Sequence, residues 1–178
     1  MMRRLGDSEG NILAVQSNLA TTYHMLDRPE EANRMLRDVY SGYLRLNGEE
    51  HEMTLIAALN YANSLLDLKR FEEAKTFMRK MMPVARRVLG ESHEITLRAS
   101  FNYAGALYNA DGATLDDIRE AVTTLEENER TARRVFGGAH PLTKGMKAEL
   151  PKLRAALRAR EGGDVSAVRE GVGAMKAT

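Results

Sequence analysis

The chain has 178 residues, of which 43% are hydrophobic and 29% are charged, and 26 Lys and Arg residues against 25 Asp and Glu residues leave a formal net charge of +1. It contains no cysteine, which excludes disulfides, zinc sites with thiolate ligands and cysteine nucleophiles. Four prolines, 6% aromatic residues and abundant Ala, Leu, Glu and Arg favour an all-α chain over a β-sandwich or barrel.

The lengths of the apolar runs indicate where in the cell the protein resides. No apolar run approaches the roughly 18 residues that span a bilayer, and the first residues turn polar before a signal-peptide core forms. We therefore expect a cytoplasmic protein without a membrane partner. The balanced charge argues against a general nucleic-acid binder.

A repeat with a period of 42 residues runs through the chain. The segment Gly48–Leu55 returns as Gly90–Leu97, and a related segment, Gly137–Thr143, follows 47 residues later. The same period of 42 relates the Asn-Tyr-Ala sequence of residues 60–62 to that of residues 102–104. Periods of 20 to 50 residues are typical of repeat architectures, in which each unit packs mainly on its neighbours.

The chain opens on what resembles the end of a helix. Two arginines and a leucine precede Gly6, much as residues 86–89 precede Gly90. A glycine at this position can take the left-handed conformation that ends a helix, and basic residues stabilise a helix C-terminus. We therefore expect residues 1–6 to end a truncated preceding repeat, followed by repeat 1 at residues 7–48.

Repeat 2 spans residues 49–90. Its apolar residues recur at three- and four-residue spacings from Leu55 to Leu66 and again from Phe71 to Val88, with a break at residues 67–70. This pattern predicts two helices joined by a short turn.

Repeat 3, at residues 91–137, is longer than repeat 2 because of an insertion between its two helices. Asp111 and Gly112 indicate a turn, and Thr114 with Asp117 resembles a capping box. The insertion therefore predicts an extra turn at the start of the second helix.

The last repeat is incomplete. Residues 138–161 predict a single capping helix, with Pro151 at the position of Ala62 and Ala104. Proline inside a helix removes a backbone hydrogen bond and kinks the helix, and terminal repeats are often degenerate. Residues 162–178 begin with two glycines and predict a flexible or short helical tail.

These motifs resemble the tetratricopeptide repeat, and in particular the 42-residue repeats of kinesin light chains. The resemblance rests on Gly-Glu-x-His-x-x-Thr-Leu before the first helix, on residues 59–62 and 71–74 within the hairpin, and on the basic end at residues 86–90. It covers about residues 6–157 and implies a right-handed α-solenoid of stacked helix-turn-helix repeats. The first helices of such a solenoid line a concave groove that binds extended peptides. Heptads for a kinesin heavy chain are absent.

The resemblance also implies which residues face the groove. The eight candidate groove residues are Asn18, Asn60, Asn63, Arg98, Phe101, Asn102, Tyr108 and Asn109. An amide both donates and accepts, so the asparagines could bind a peptide backbone whatever its side chains are. Alternatively, they bind neighbouring helices and only stabilise stacking. Arg98 could pair with a ligand carboxylate, or it could be an ordinary solvated charge.

Three histidines occupy the turns between repeats. Their separations of 42 and 47 residues prevent them from converging on one metal ion. We expect them to cap the following helices together with nearby threonines. The residues are His51, His93 and His140, with Thr54, Thr96 and Thr143. No catalytic set or phosphate-binding loop stands out, so we expect neither an enzyme, a metal site nor a cofactor.

The net charge conceals a polarity along the chain. Residues 1–129 have a net charge of −6, whereas residues 130–160 have a net charge of +8. The candidate basic patch comprises Arg130, Arg133, Arg134, Lys144, Lys147, Lys152 and Arg154. Such a patch could attract an acidic partner, or it could be a solvated cap that keeps the array soluble.

The sequence therefore predicts a non-enzymatic scaffold that binds extended, acidic segments of a protein partner. The resemblance adds a cargo-adaptor role in a motor or cytoskeletal complex. The alternative is a fragment or regulatory repeat module of a larger signalling or ATPase protein, which mediates intramolecular contact or self-association.

Overall fold

The computed structural model describes the backbone of residues 2–175 and the side chains of residues 8–162, and the last three residues of the predicted tail lie outside it. The backbone forms α1 (Met2–Met25), α2 (Pro29–Asn47), α3 (Glu52–Asp67), α4 (Phe71–Leu89), α5 (Glu94–Asn109), α6 (Leu115–Phe136) and α7 (Pro141–Met175), with no strand among these residues.

Consecutive helices pack on each other, so the helices form three hairpins and a final unpaired helix. The first helices of successive hairpins also touch, α3 with α5 and α5 with α7. The predicted all-α stack of helical hairpins is confirmed. In the described part of the chain, no helix has both the length and the apolar character that crossing a bilayer requires.

Small residues set how closely the two helices of a hairpin approach. Alanines occupy equivalent positions on both helices, and each is no more than 1% exposed: Ala20 and Ala32, Ala62 and Ala74, Ala104 and Ala121. A larger side chain at such a site has no space and must push the helices apart.

Histidines begin three of the helices, as predicted. The Nδ1 atoms of His51, His93 and His140 each accept a hydrogen bond from the backbone N–H two residues on, at 3.2, 3.3 and 3.3 Å. Each acceptor satisfies an N–H that the helix itself leaves unpaired. The preceding turns contain glycines with positive φ, as expected for left-handed caps: Gly48, Gly90 and Gly137.

The threonines three residues after these histidines do not share in capping, so that prediction is wrong. Thr54 Oγ1 donates to the carbonyl of Tyr43 at 3.2 Å, and Thr96 Oγ1 donates to that of Ala85 at 3.5 Å. Thr143 is equally buried but finds no partner among the described residues. The hydroxyls point away from their own helix ends because each faces the second helix of the preceding hairpin.

The predicted helix ends at Gly6 and at residue 162 are also wrong. Helix α1 runs through Gly6, and α7 continues through Gly162 and Gly163 to Met175. A glycine in a helix costs about 1 kcal/mol relative to alanine, but it ends the helix only where it takes a positive φ. Pro151 likewise lies inside α7, and Pro83 lies inside α4.

The insertion in the third hairpin has the predicted effect. Helix α6 has 22 residues where α2 and α4 have 19, and a capping box starts it. The Thr114 hydroxyl accepts from the Asp117 N–H at 3.1 Å, while Asp117 Oδ2 accepts from the Thr114 N–H at 3.0 Å. These hydrogen bonds, with Lys75 nearby, lower the pKa of the Asp117 carboxyl.

We expect Ala62→Leu to lower the free energy of unfolding by about 1–3 kcal/mol, because the fully buried site cannot hold a larger side chain. Urea unfolding measures this change. Ala155→Leu, on the exposed side of α7, is the matched control and should stay within about 0.5 kcal/mol of wild type. Equal losses in the two variants would contradict the packing argument.

We expect Asp117→Asn to lower stability at neutral pH by about 1 kcal/mol, because it removes the negative charge at the start of α6 and beside Lys75, although the amide oxygen can still accept from the Thr114 N–H. Because folding lowers the pKa of Asp117, its carboxylate stabilises the fold above the ordinary value near pH 4, and that stabilisation is lost as the pH falls through the lowered value. Unfolding followed by circular dichroism between pH 2 and pH 7 should therefore show a weaker acid dependence in the variant. The control Asp116→Asn, whose side chain is 91% exposed, should retain the wild-type dependence.

Candidate functional site

A pocket of about 160 Å³ lies between α1 and α3, on the side formed by the first helices. Its lining includes two of the eight predicted groove residues, Asn60 and Asn63, and it opens beside the small residues Ala20 and Ala32. The alanines that allow close helix packing therefore also leave the space for this pocket.

The pocket lining is mixed, with Ala20, Ala32 and Leu36 as its apolar part and polar side chains beside them. His24 Nδ1 lies 3.6 Å from Asp67 Oδ2, and both side chains are about half exposed. On the floor, the Ser64 hydroxyl accepts from Asn33 Nδ2 at 2.8 Å and donates to the Tyr61 carbonyl at 2.8 Å. The pocket therefore suits a polar group that can exchange hydrogen bonds with its rim.

His24 and Asp67 are not among the eight candidate residues, although the register implied by the family resemblance places both at groove-facing positions. His24 lies one turn beyond Ala20 on α1. Its approach to Asp67 depends on how α1 and α3 pack, and the spacing within either helix carries no information on that distance.

The asparagines divide between the two roles left open by the sequence. The Asn102 amide donates to Asn63 Oδ1, so this pair joins α5 to α3 and stabilises stacking. Within residues 8–162, the side chains of Asn18 and Asn60 form no hydrogen bond; Asn18 is exposed and Asn60 is half-buried at the pocket. These two amides are the ones that remain available to a ligand.

The other candidates on α5 are engaged within the protein. Arg98 pairs with Glu94 on its own helix at 2.7 Å, and Asn109 Nδ2 donates to the Gly105 carbonyl at 2.8 Å. Phe101 and Tyr108 are half-buried and pack against the hydrophobic core.

The basic residues do not form one continuous unpaired patch. Arg133 pairs with Glu129, Lys152 with Glu149 and Arg154 with Glu126, while Arg130 donates to the Glu126 carbonyl. Arg134, Lys144 and Lys147 have no acidic partner among the described residues. Of the seven candidate basic residues, these three are the ones whose charge no acidic side chain in the described residues offsets.

Lys144 and Lys147 also end the core. In the repeat register they stand where α5 has Leu97 and Ser100, each 1% exposed, yet both lysines are exposed on α7. At these two positions α7 presents charge to solvent, whereas Leu142, Met146 and Leu150 of the same helix remain buried.

A second cavity, of about 210 Å³, lies between α2, α3 and α4. Tyr40 and Phe77 line it and meet edge to face, with ring centroids 5.2 Å apart. Its walls are mainly apolar, and Glu49 and Lys80 stand among its lining residues. Among the residues described, no three His, Asp or Glu side chains are arranged to hold a metal ion.

Family models for the tetratricopeptide repeat match residues 12–52 and residues 53–114, which together make up more than half of the chain. No curated protein matches the sequence significantly.

Several solved structures are similar in fold. The first is a Podosopora anserina protein described as a kinesin light chain with nearly identical TPR-like repeats: 22% identity, TM-score 0.71, covering 81% of this chain and 66% of that one. BtubC (BKLC) from P. vanneervenii has 14% identity and a TM-score of 0.53, covering 82% of this chain and 64% of that one. A variant of the Podosopora protein has 17% identity and a TM-score of 0.52, and the match covers 95% of this chain and 98% of that one. This chain thus spans just under two thirds of the first two proteins.

We expect Asn102→Ala to lower the free energy of unfolding by about 1 kcal/mol, because it leaves the Asn63 carbonyl oxygen without its donor. Thermal unfolding followed by circular dichroism measures the loss. Asn18→Ala removes an exposed, unbonded amide and should change stability by less than about 0.5 kcal/mol. If the two variants lose the same stability, the division of the asparagines into two roles is wrong.

Proposed function

The chain belongs to the tetratricopeptide repeat family, and we propose that it is a non-enzymatic scaffold that binds an extended, acidic segment of a protein partner across its first helices. Repeats of this family are generally protein-interaction scaffolds. The pocket between α1 and α3, with the unbonded Asn60 amide at its wall, is the observation that carries the proposal.

The binding mode follows from Asn60, which lines the pocket, and from Asn18, which is exposed on α1 outside the pocket lining. Asn18 and Asn60 lie on adjacent first helices and can each donate to and accept from a peptide backbone. The pocket volume of about 160 Å³ is suited to one side chain of the peptide, with His24 and Asp67 as its polar contacts. Backbone contacts give affinity in this mode, and the pocket gives selectivity.

Charge supports an acidic ligand that extends toward α7. The charged groups near the first helices are largely paired, as in Arg98 with Glu94 and Lys152 with Glu149. Lys144 and Lys147 are among the basic side chains of α7 that have no acidic partner in the described part of the chain. A peptide whose acidic residues lie at that end gains attraction without displacing an existing ion pair.

The same proposal extends to a kinesin light chain-like cargo adaptor in a cytoplasmic motor or cytoskeletal complex. It is supported by the likeness in fold to the Podosopora protein described as a kinesin light chain. The alternative, a repeat module that associates with itself, is favoured by a separate observation on α1.

We expect the Asn18→Ala, Asn60→Ala double variant to bind an acidic peptide at least tenfold more weakly, because two hydrogen bonds of about 1 kcal/mol each are lost. The probe is a fluorescein-labelled library of 12-residue peptides, half Asp and Glu, measured by fluorescence polarisation beside a basic library of equal length.

Two controls make this test specific. Gln16→Ala removes an exposed amide from another face of α1 and should leave the affinity unchanged. The double variant Lys144→Glu, Lys147→Glu should bind the acidic library more weakly and should bind the basic library no more weakly than wild type does. Equal binding by wild type and the double Asn variant would contradict the proposed groove.

A further inference from the structure

Helix α1 exposes an apolar stripe. Ile12 is 56% exposed, Val15 66%, Leu19 42% and Leu26 62%. The spacings of three and four residues place Ile12, Val15 and Leu19 on one face of α1, and Leu26 follows in the turn after the helix. Asn18 and His24 lie on other faces of α1.

The repeat register shows what such a face does elsewhere in the molecule. A shift of 42 residues carries Ile12 and Val15 onto Thr54 and Ala57 of α3, which are 1% and 2% exposed. Thr54 donates to a carbonyl of α2 at 3.2 Å, so this is the face that packs on the second helix of the preceding hairpin.

Helix α5 repeats the arrangement. The equivalent of Leu19 is Tyr103, which is 3% exposed and whose hydroxyl accepts from Arg79 of α4 at 2.8 Å. The stripe on α1 is therefore a hairpin-packing face whose covering helix is not among residues 2–175.

Among residues 2–175, no second helix is free to provide that cover. Each of α2, α4 and α6 already packs between two first helices, α2 between α1 and α3, α4 between α3 and α5, and α6 between α5 and α7. If a second copy of the chain covers α1, its second helices are already occupied in the same way. The helix of the second copy that can cover this face is therefore its own α1.

Charge favours that pairing. Residues 10–26 contain no Lys, Arg, Asp or Glu in a chain with 29% charged residues. In a two-fold symmetric contact, a residue near the axis lies opposite the same residue of the second copy. A charged residue there would therefore face a like charge. At the other end of the array, Lys144 and Lys147 of α7 would repel the same lysines of a second copy, which disfavours a contact between two α7 helices.

We propose that two copies of this chain associate through α1, burying Ile12, Val15, Leu19 and Leu26 against the same residues of the second copy. The contact is one helix face about 25 Å long, which is smaller than the roughly 800 Å² per partner of a standard interface. The dimer is therefore reversible, with a dissociation constant of about 10–100 µM. The dimer contact does not involve the proposed peptide groove, because the groove uses another face of α1.

Sedimentation velocity on the full chain between 5 and 500 µM tests the proposal. Wild type should shift from monomer to dimer, and Val15→Lys should raise the dissociation constant at least tenfold without changing the melting temperature. The matched control is Val135→Lys, because Val135 is a 46% exposed valine on α6 and its substitution should leave the equilibrium unchanged. Peptide binding should survive in Val15→Lys, which separates this test from that of the groove.

Cross-linking gives a second, independent readout, because the natural chain has no cysteine. Mild oxidation should link Val15→Cys or Leu19→Cys into dimers and leave Val135→Cys monomeric. A wild-type chain that stays monomeric at 500 µM would overturn the proposal and assign the stripe to a second helix from another protein. A dimer that is insensitive to Val15→Lys, or that cross-links at neither α1 position, would overturn it as well.

Discussion

Close packing at fully buried alanines sets the geometry of this chain. In the second hairpin, Ala62 and Ala74 are both 0% exposed, and equivalent pairs recur in the hairpins on either side. Because the helices approach closely there, each second helix lies where it also contacts the next first helix, and Thr54 can reach a carbonyl across that boundary. One small residue per helix, repeated at the period of the sequence, thus orders both the hairpin and the stack. The pocket beside Ala20 and Ala32 results from the same constraint.

The interior of the array is uniform, and its chemistry varies at the two terminal helices. On α1, two positions that α3 and α5 bury carry the exposed Ile12 and Val15. On α7, a different pair of positions, which α5 buries as Leu97 and Ser100, carries the exposed Lys144 and Lys147. A repeat in the middle covers both of its faces with neighbours, whereas a terminal helix leaves one face to solvent. The difference gives one end a surface suited to apolar contact and the other a surface suited to anionic groups. An elongated partner could therefore be oriented along the array by charge.

Polar side chains on the first helices divide by whether a neighbouring helix already satisfies them. His51 uses its Nδ1 atom to cap a helix, and Asn102 uses its amide to reach Asn63. The Asn60 amide remains without a protein partner at the pocket wall in the described part of the chain. Spacing alone predicted that these residues share a face. Spacing could not show which of these side chains bond to a neighbouring helix. The Asn102–Asn63 hydrogen bond depends on the distance between two helices, and its partners are 39 residues apart in the chain.

The repeat and its hairpins could be predicted from recurring motifs and apolar spacing, and the histidine caps and the Thr114–Asp117 capping box from residues within one turn of helix. The helix through Gly6, the pairing of Arg154 with Glu126 and the exposure of the apolar stripe on α1 could not be predicted in this way. Periodicity shows which residues share a face, but burial and charge pairing depend on what lies across from that face, and distant parts of the chain supply it.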